Sequence, residues 1–266
     1  MSSTEVYVLN NLKSVLENVK AAAIKRPENL QYATPRLVAV SKTKSADFII
    51  AAYKAGQRHF GENYVLELCD KAHDIEIQGQ FDDIKWHFIG HLQRNKVSKV
   101  LAVPHLFVIE TVDSFGLAKA VNDTWQRLDK QSHLKVMVQI NTSAEENKSG
   151  CRPDEAIQLV KYVREKCPNL DLIGLMTIGV YDHDPSTTNP DFVALVRIRA
   201  EVCKDLDISP NDLELSMGMS ADYEQAVEMG STNVRVGTKI FGTRGKPYTR
   251  PAIKDSGLQD NSDDEH

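Results

Sequence analysis

A lysine closes one of the most apolar stretches of the chain. The run Leu37-Val38-Ala39-Val40-Ser41-Lys42-Thr43-Lys44 starts β-branched and ends in charge. It reads as a strand buried on both faces that delivers the Lys42 amine to its carboxyl end. An amine partly desolvated there gives up its proton readily and becomes a Schiff-base nucleophile. Two later stretches have the makings of an anion site: Ser216-Met217-Gly218-Met219-Ser220, and Arg235-Val236-Gly237-Thr238 leading into Lys239-Ile240-Phe241-Gly242. Exposed N–H groups and the positive end of a short helix at Gly237-Thr238 suit a phosphate, and the first stretch could add hydroxyl and N–H donors. Each feature has a plainer alternative, since glycines serve tight turns and most lysines form solvated surface pairs. Together they describe a site for an aldehyde that carries a phosphate.

Such residues need a scaffold that brings strand ends together. Val8, Leu12, Val15, Leu16 and Val19 recur at helical spacing, predicting an amphipathic N-terminal helix within residues 1–28 that packs on a larger body. From Arg36 onward strands and helices alternate. Strands are predicted at 37–44, 58–63, 85–90, 106–110, 135–141, 172–178, 213–220 and 233–238, with helices between them. Strands apolar on both faces imply a parallel sheet, and about eight strand-helix units in about 250 residues match a closed (β/α)8 barrel. The expectation is a single TIM-type barrel over residues 36–250, with an extra N-terminal helix and a disordered acidic tail at 254–266. In such a barrel the chemistry lies on the loops after the strands, so Glu62-Asn63-Tyr64, Gly90-His91, Asn141 and Met176-Thr177 join the candidates.

Composition excludes several roles. The chain has 266 residues, 41% of them hydrophobic and 26% charged, with a formal net charge of −5. An acidic balance argues against a dedicated nucleic-acid binder, whose affinity rests on neutralising phosphates. Arg94, Lys96 and Lys99 make only a small basic face. No apolar run reaches the ~18 residues of a spanning helix and the first residues lack a leader pattern, so a cytoplasmic protein without membrane contact is expected. The four cysteines, Cys69, Cys151, Cys167 and Cys203, form no C-x-x-C pair and read as reduced packing thiols. His87 and His91 are four apart but separated by a glycine on leaving a strand, which is not a helical zinc pair.

The ordered blocks Ala39-Val40-Ser41-Lys42-Thr43-Lys44, Phe60-Gly61-Glu62-Asn63-Tyr64, Trp86-His87-Phe88-Ile89-Gly90-His91-Leu92-Gln93-Arg94-Asn95-Lys96, Gln139-Ile140-Asn141, Lys148-Ser149-Gly150, Gly174-Leu175-Met176-Thr177, Leu215-Ser216-Met217-Gly218-Met219-Ser220 and Val234-Arg235-Val236-Gly237-Thr238 together resemble the pyridoxal phosphate homeostasis protein family. That family is related to the N-terminal barrel of alanine racemase. The resemblance runs from about Arg36 to Arg244, leaving the first helix and the acidic tail outside.

The resemblance implies that Lys42 carries pyridoxal 5′-phosphate as an internal aldimine. Ser220, Gly237 and Thr238 would bind the phosphate, with Ser216 and Gly218 shaping that turn. Asn63 would lie near the cofactor's polar edge, His87, Ile89 and Met219 would wall the ring, and Arg235 would face the pyridine nitrogen. An always-charged arginine there disfavours protonation of the ring and weakens it as an electron sink. The racemase also uses a tyrosine from a second domain, and this chain ends soon after its last barrel strand; Tyr64 is the nearest local substitute. Lys148 could close over the cofactor, a solvated lysine being the plainer reading, and Glu62 could act on Lys42 or simply form a structural pair. The implied function is a monomeric carrier that maintains intracellular vitamin B6, exchanging cofactor with PLP-dependent apo-enzymes and lacking robust catalysis. An amino-acid racemase or related aldimine enzyme is the alternative, and a cofactor-free binding module a third.

Overall fold

The computed structural model describes residues 1–30, 33–145, 148–180, 183–184 and 186–243. The predicted tail at 254–266 and the end of the predicted barrel segment, 244–250, lie outside the described residues. Eight strands pair in parallel in sequence order: β1 (Arg36–Val40), β2 (His59–Glu62), β3 (Lys85–Phe88), β4 (Leu106–Val112), β5 (Leu134–Gln139), β6 (Leu170–Met176), β7 (Glu214–Ser216) and β8 (Asn233–Val236). β8 returns to β1 through the register Arg36↔Asn233 to Ala39↔Val236, which closes the barrel. No edge is left with unpaired backbone groups, so the (β/α)8 expectation holds.

Around the barrel run α1 (Ser3–Ile24), α2 (Ala46–Lys54), α3 (Val65–Ala72), α4 (Ile75–Gln78), α5 (Val97–Leu101), α6 (Phe115–Arg127), α7 (Ala156–Lys166), α8 (Pro190–Asp205), α9 (Tyr223–Glu228) and α10 (Thr238–Phe241). Strand alternation sorts the side chains into two sets. Leu37, Ala39, Phe60, Trp86, Phe88, Ile109, Val136, Leu175, Leu215, Val234 and Val236 face the helices in one large apolar core. Their neighbours in sequence, among them His59, His87, Ser216, Asn233 and Arg235, fill the barrel interior.

The N-terminal helix is set by a capping box: Ser2 Oγ accepts from the Glu5 N–H (3.1 Å) while the Ser2 N–H donates to Glu5 Oε2 (2.8 Å). Its buried stripe, Val8, Leu12, Val15, Val19 and Ala22, packs on α2, α9 and α10. At roughly 1.5–3 kcal/mol for each fully buried large aliphatic, this face binds the helix firmly to the barrel wall. Asn11 Nδ2 donates to Ile240 O (3.1 Å), and the buried Arg26 donates from Nε to Val227 O (2.7 Å). The helix therefore braces the sector where β8 meets β1, beneath the turns that carry Lys42 and Gly237.

Strands β1 and β7 fall furthest short of their predicted lengths. β1 stops at Val40, and Lys42 lies in a turn in which Thr43 takes φ +63°. β7 spans three residues, because Gly218 at φ +95° takes the chain out of extended conformation. A Cβ at Gly218 would sit 2.5 Å from the Ala226 Cβ, so that turn requires glycine.

Candidate functional site

Register places the sequence-predicted residues around the barrel mouth. Val40 pairs with Gly61 and Ala39 with Val236, so Lys42 stands level with Asn63 on one side and just above Gly237 on the other. A Cβ on Gly237 would lie 3.0 Å from Val40 O, which shows how closely the β8 turn approaches β1. Glu62 pairs with Phe88, setting Ile89 beside Asn63, and the Ile89 N–H donates to Glu62 O (2.9 Å). Gly90 completes this side: a Cβ there would fall 1.9 Å from Asn63 O, so only glycine lets the Asn63 loop lean inward. The Asn63 Oδ1 is buried without a hydrogen-bond partner among the described residues, as is Gln139 Oε1. A buried acceptor without a donor is a cost that calls for an explanation, and a ligand donor at the mouth would supply one for Asn63.

On the opposite side, Ser220 Oγ accepts from the Gly237 N–H (3.1 Å), joining the turn after β7 to the turn after β8. Thr238 is exposed as the first residue of α10, and Ser220 and Gly237 are half-buried. Met219 is half-buried and its N–H donates to Asp222 Oδ1 (2.7 Å), which fixes the Met219-Ser220 corner. Lys42 is half-buried within this ring of turns.

The Lys42 turn is held from below. Lys71, 4% exposed, spends its three donors on Ser41 O (2.7 Å), Glu62 Oε1 (2.6 Å) and Glu67 Oε1 (2.7 Å). Ser41 Oγ donates to Glu62 Oε1 (2.7 Å), and the Thr43 N–H donates to Glu67 Oε1 (2.5 Å). Burial, reinforced by the Glu67 charge and opposed by Lys71, pushes the Glu62 carboxyl up to about 7. Of the two roles foreseen for Glu62, structural pairing is the one its contacts display.

Beneath the mouth runs a polar skeleton that the sequence reading missed. Arg235, 4% exposed, donates from Nη1 to Ser216 Oγ (2.5 Å) and from Nη2 to Thr177 O (2.8 Å). Ser216 Oγ donates to Glu110 Oε2 (2.5 Å), and Asn233 Nδ2 donates to Glu110 Oε1 (3.0 Å). The same Glu110 Oε1 meets His87 Nδ1 (2.6 Å), and His87 Nε2 meets His59 Nδ1 (2.8 Å). Burial disfavours the Glu110 carboxylate, but its bond to His87, the Arg235 charge and the Ser216 hydroxyl more than offset this and hold it ionised. Burial keeps His87 neutral against the pull of Glu110. Burial first, with the nearby Arg36 and Lys85 charges, drives His59 down to about 3. With Glu110 an acceptor, His87 donates from Nδ1 and accepts at Nε2. Every member is then satisfied, and the chain ends by clamping Arg235.

His87 and Ser216 therefore lie one layer below the mouth, each fully buried and fully bonded, whereas Ile89, Met219 and Asn63 lie at it. The signal for Glu110 was its charge at the end of the apolar Leu106–Ile109 run; nothing local to it says that it faces inward. Lys148 Nζ donates to Gly179 O (2.8 Å) and pairs with Glu145 (2.7 Å), bridging two loops of the same face. Tyr64 is 56% exposed at the start of α3. Among the described residues none of the four cysteines forms a disulfide, and Cys151 is pushed up to about 12 by burial, which suits a packing thiol. Among the described residues no cluster of His, Cys, Asp and Glu could hold a metal ion, and no helix is long and apolar enough to cross a membrane.

Residues 11–245 match the family model described as alanine racemase, N-terminal domain, so the match takes in most of α1, which the motif resemblance had left out. The chain is 56% identical over 243 residues to the pyridoxal phosphate homeostasis protein of Homo sapiens, covering 91% of this chain and 88% of that one. The chain belongs to this family. The protein of the same name from Haemophilus influenzae is 38% identical over 237 residues, 89% of this chain and 96% of that one. Among solved structures, PipY of Synechococcus elongatus with PLP bound has a TM-score of 0.69 at 32% identity, covering 86% of this chain and all of that one. An alanine racemase of Clostridium difficile, at 15% identity and TM-score 0.64, covers 94% of this chain but 62% of its own, and shares the fold.

Proposed function

We propose that this protein binds pyridoxal 5′-phosphate in the barrel mouth, linked to the Lys42 amine, and serves to hold and release the cofactor for vitamin B6 homeostasis. The observation that carries the reading is the convergence at one barrel end of a half-buried lysine, an unpartnered Asn63 acceptor and the Ser220–Gly237–Thr238 turn pair. PipY, 32% identical, binds PLP, and the curated relatives are named for its homeostasis. The orphaned Asn63 oxygen fits a ligand donor at the cofactor's polar edge, and Ser220, Gly237 and Thr238 offer hydroxyl and N–H donors for the phosphate. Ile89 and Met219 supply apolar walls. Lys42 would join the aldehyde carbon with loss of water.

When bound, the cofactor supplies an electron-withdrawing ring whose power depends on protonation of its nitrogen. Arg235 is a charged donor held by Ser216 Oγ, Thr177 O and the Glu110 charge, so it offers a ring nitrogen no acceptor for an N–H. Gly218, Ser216 and His87 act beneath it as supports. This arrangement favours storage over carbanion chemistry, and we read the protein as a carrier without robust catalysis, monomeric, cytoplasmic and serving PLP-dependent apo-enzymes.

The test is direct. Purified protein given pyridoxal 5′-phosphate should develop an absorbance band that borohydride fixes on Lys42 and that Lys42→Ala lacks. Cofactor release to an apo-enzyme should be measurable by recovered activity. Amino-acid racemisation at ordinary enzymatic turnover would overturn the carrier reading; absence of any band would overturn cofactor binding.

A further inference from the structure

Both peptide groups that flank the Lys42 Cα end on one buried ionic cluster. The carbonyl of the preceding peptide, Ser41 O, accepts from Lys71 Nζ at 2.7 Å, and the N–H of the following peptide, on Thr43, donates to Glu67 Oε1 at 2.5 Å. Lys71 bonds to Glu67 Oε1 (2.7 Å) and Glu62 Oε1 (2.6 Å), so a single lysine connects the two anchor points. Lys71, Glu62 and Glu67 are 4%, 0% and 0% exposed. Fixing both flanking peptide planes fixes the backbone angles of Lys42, and with them the direction in which its side chain leaves.

The charge count points the same way. One buried lysine needs one carboxylate, and the cluster holds two carboxyl groups bonded to Lys71. Glu67 is a second buried carboxylate, which leaves the cluster with an excess negative charge that burial penalises. What Glu67 adds is the acceptor for the Thr43 N–H. Thr43 itself takes φ +63°, a left-handed angle uncommon for a β-branched residue, and surrounding structure must hold it there. Resting on the proposed linkage of the cofactor to Lys42, we infer that Glu67, acting with Lys71, is a positioning residue that clamps the Lys42 turn and aims the amine at the bound aldehyde.

The experiment uses the full chain and two probes. Pyridoxal 5′-phosphate reports linkage to Lys42. Pyridoxine 5′-phosphate, which has the same ring and phosphate but an alcohol in place of the aldehyde, reports the pocket alone. Glu67→Leu removes the acceptor and leaves a neutral Glu62–Lys71 pair. Linkage should slow between about tenfold and 10²-fold, the scale of a misplaced reacting group, with affinity for pyridoxine 5′-phosphate unchanged. Glu67→Gln keeps an acceptor oxygen and should restore the rate. Unchanged linkage in Glu67→Leu, an equal loss of both probes, or a Glu67→Gln as slow as Glu67→Leu would each overturn the inference. If Glu67→Leu does not fold, or if the wild type forms no linkage and the cofactor reading itself fails, amide exchange in the wild type decides the clamp. A Thr43 N–H protected as a buried hydrogen bond supports it, and one exchanging like an exposed amide overturns it.

Discussion

Glu62→Gln should change how stability depends on pH, and the size of the change follows from the cluster. The Glu62 carboxyl is fully buried and pushed up to about 7 from an ordinary 4.5, by burial first and by the Glu67 charge, with Lys71 opposing. Because its folded pKa is raised, its contribution to stability is fully present below about 4.5 and is lost as pH rises through about 7. At about 1.4 kcal/mol per pH unit, that gap corresponds to about 3 kcal/mol. Glutamine preserves the acceptor for Lys71 and Ser41 but sets an amide donor where Glu62 Oε2 has no partner, an offset of about 1–3 kcal/mol at every pH. The variant should therefore be less stable than wild type at pH 5, and the two should converge or cross by pH 8. Urea unfolding followed by tryptophan fluorescence checks this, since Trp86 is fully buried. The difference between the two proteins is the quantity to plot, because His59 titrates in an overlapping window with the opposite sign. A constant vertical offset from pH 5 to 8 would refute the argument.

Other outcomes follow from the same geometry. His59, held near 3 against an ordinary 6.5, contributes stability that is present above about 6.5 and lost as pH falls toward 3, so His59→Phe should flatten the acid side of the stability profile in thermal melts. Glu110→Leu leaves the buried Arg235 without its counter-charge and should cost about 3–5 kcal/mol, read from denaturant midpoints. Gly90→Ala drives a Cβ against Asn63 O and should cost about 3 kcal/mol while weakening pyridoxal 5′-phosphate binding, checked by melting and by titration.

The sequence by itself determined the periodic parts of this protein. Alternating apolar strands and amphipathic helices are local patterns, and eight of them in series leave closure as the way to remove sheet edges. Lys42, Asn63, Ile89 and Gly237 could be read as strand-end residues because position along a strand is also local. Tertiary structure alone decided the rest. Whether Glu110 faces the helices or the interior depends on strand parity across a register shift between β4 and β5, which no single segment records. Lys71 lies on the helix after β2 with an ordinary helical neighbourhood, and only the packing of α3 against β2 brings its amine to Ser41 O. His87 and Ser216 read as lining residues because they sit on the right strands. Their burial one layer down, bonded to Glu110, follows from side chains meeting across the barrel, where partners are more than 20 residues apart in sequence. Lys42 was legible because a lysine at the end of an apolar run is a matter of residue type and position along one strand. Its aim was not, because that depends on buried charges whose positions exist only after the chain has folded.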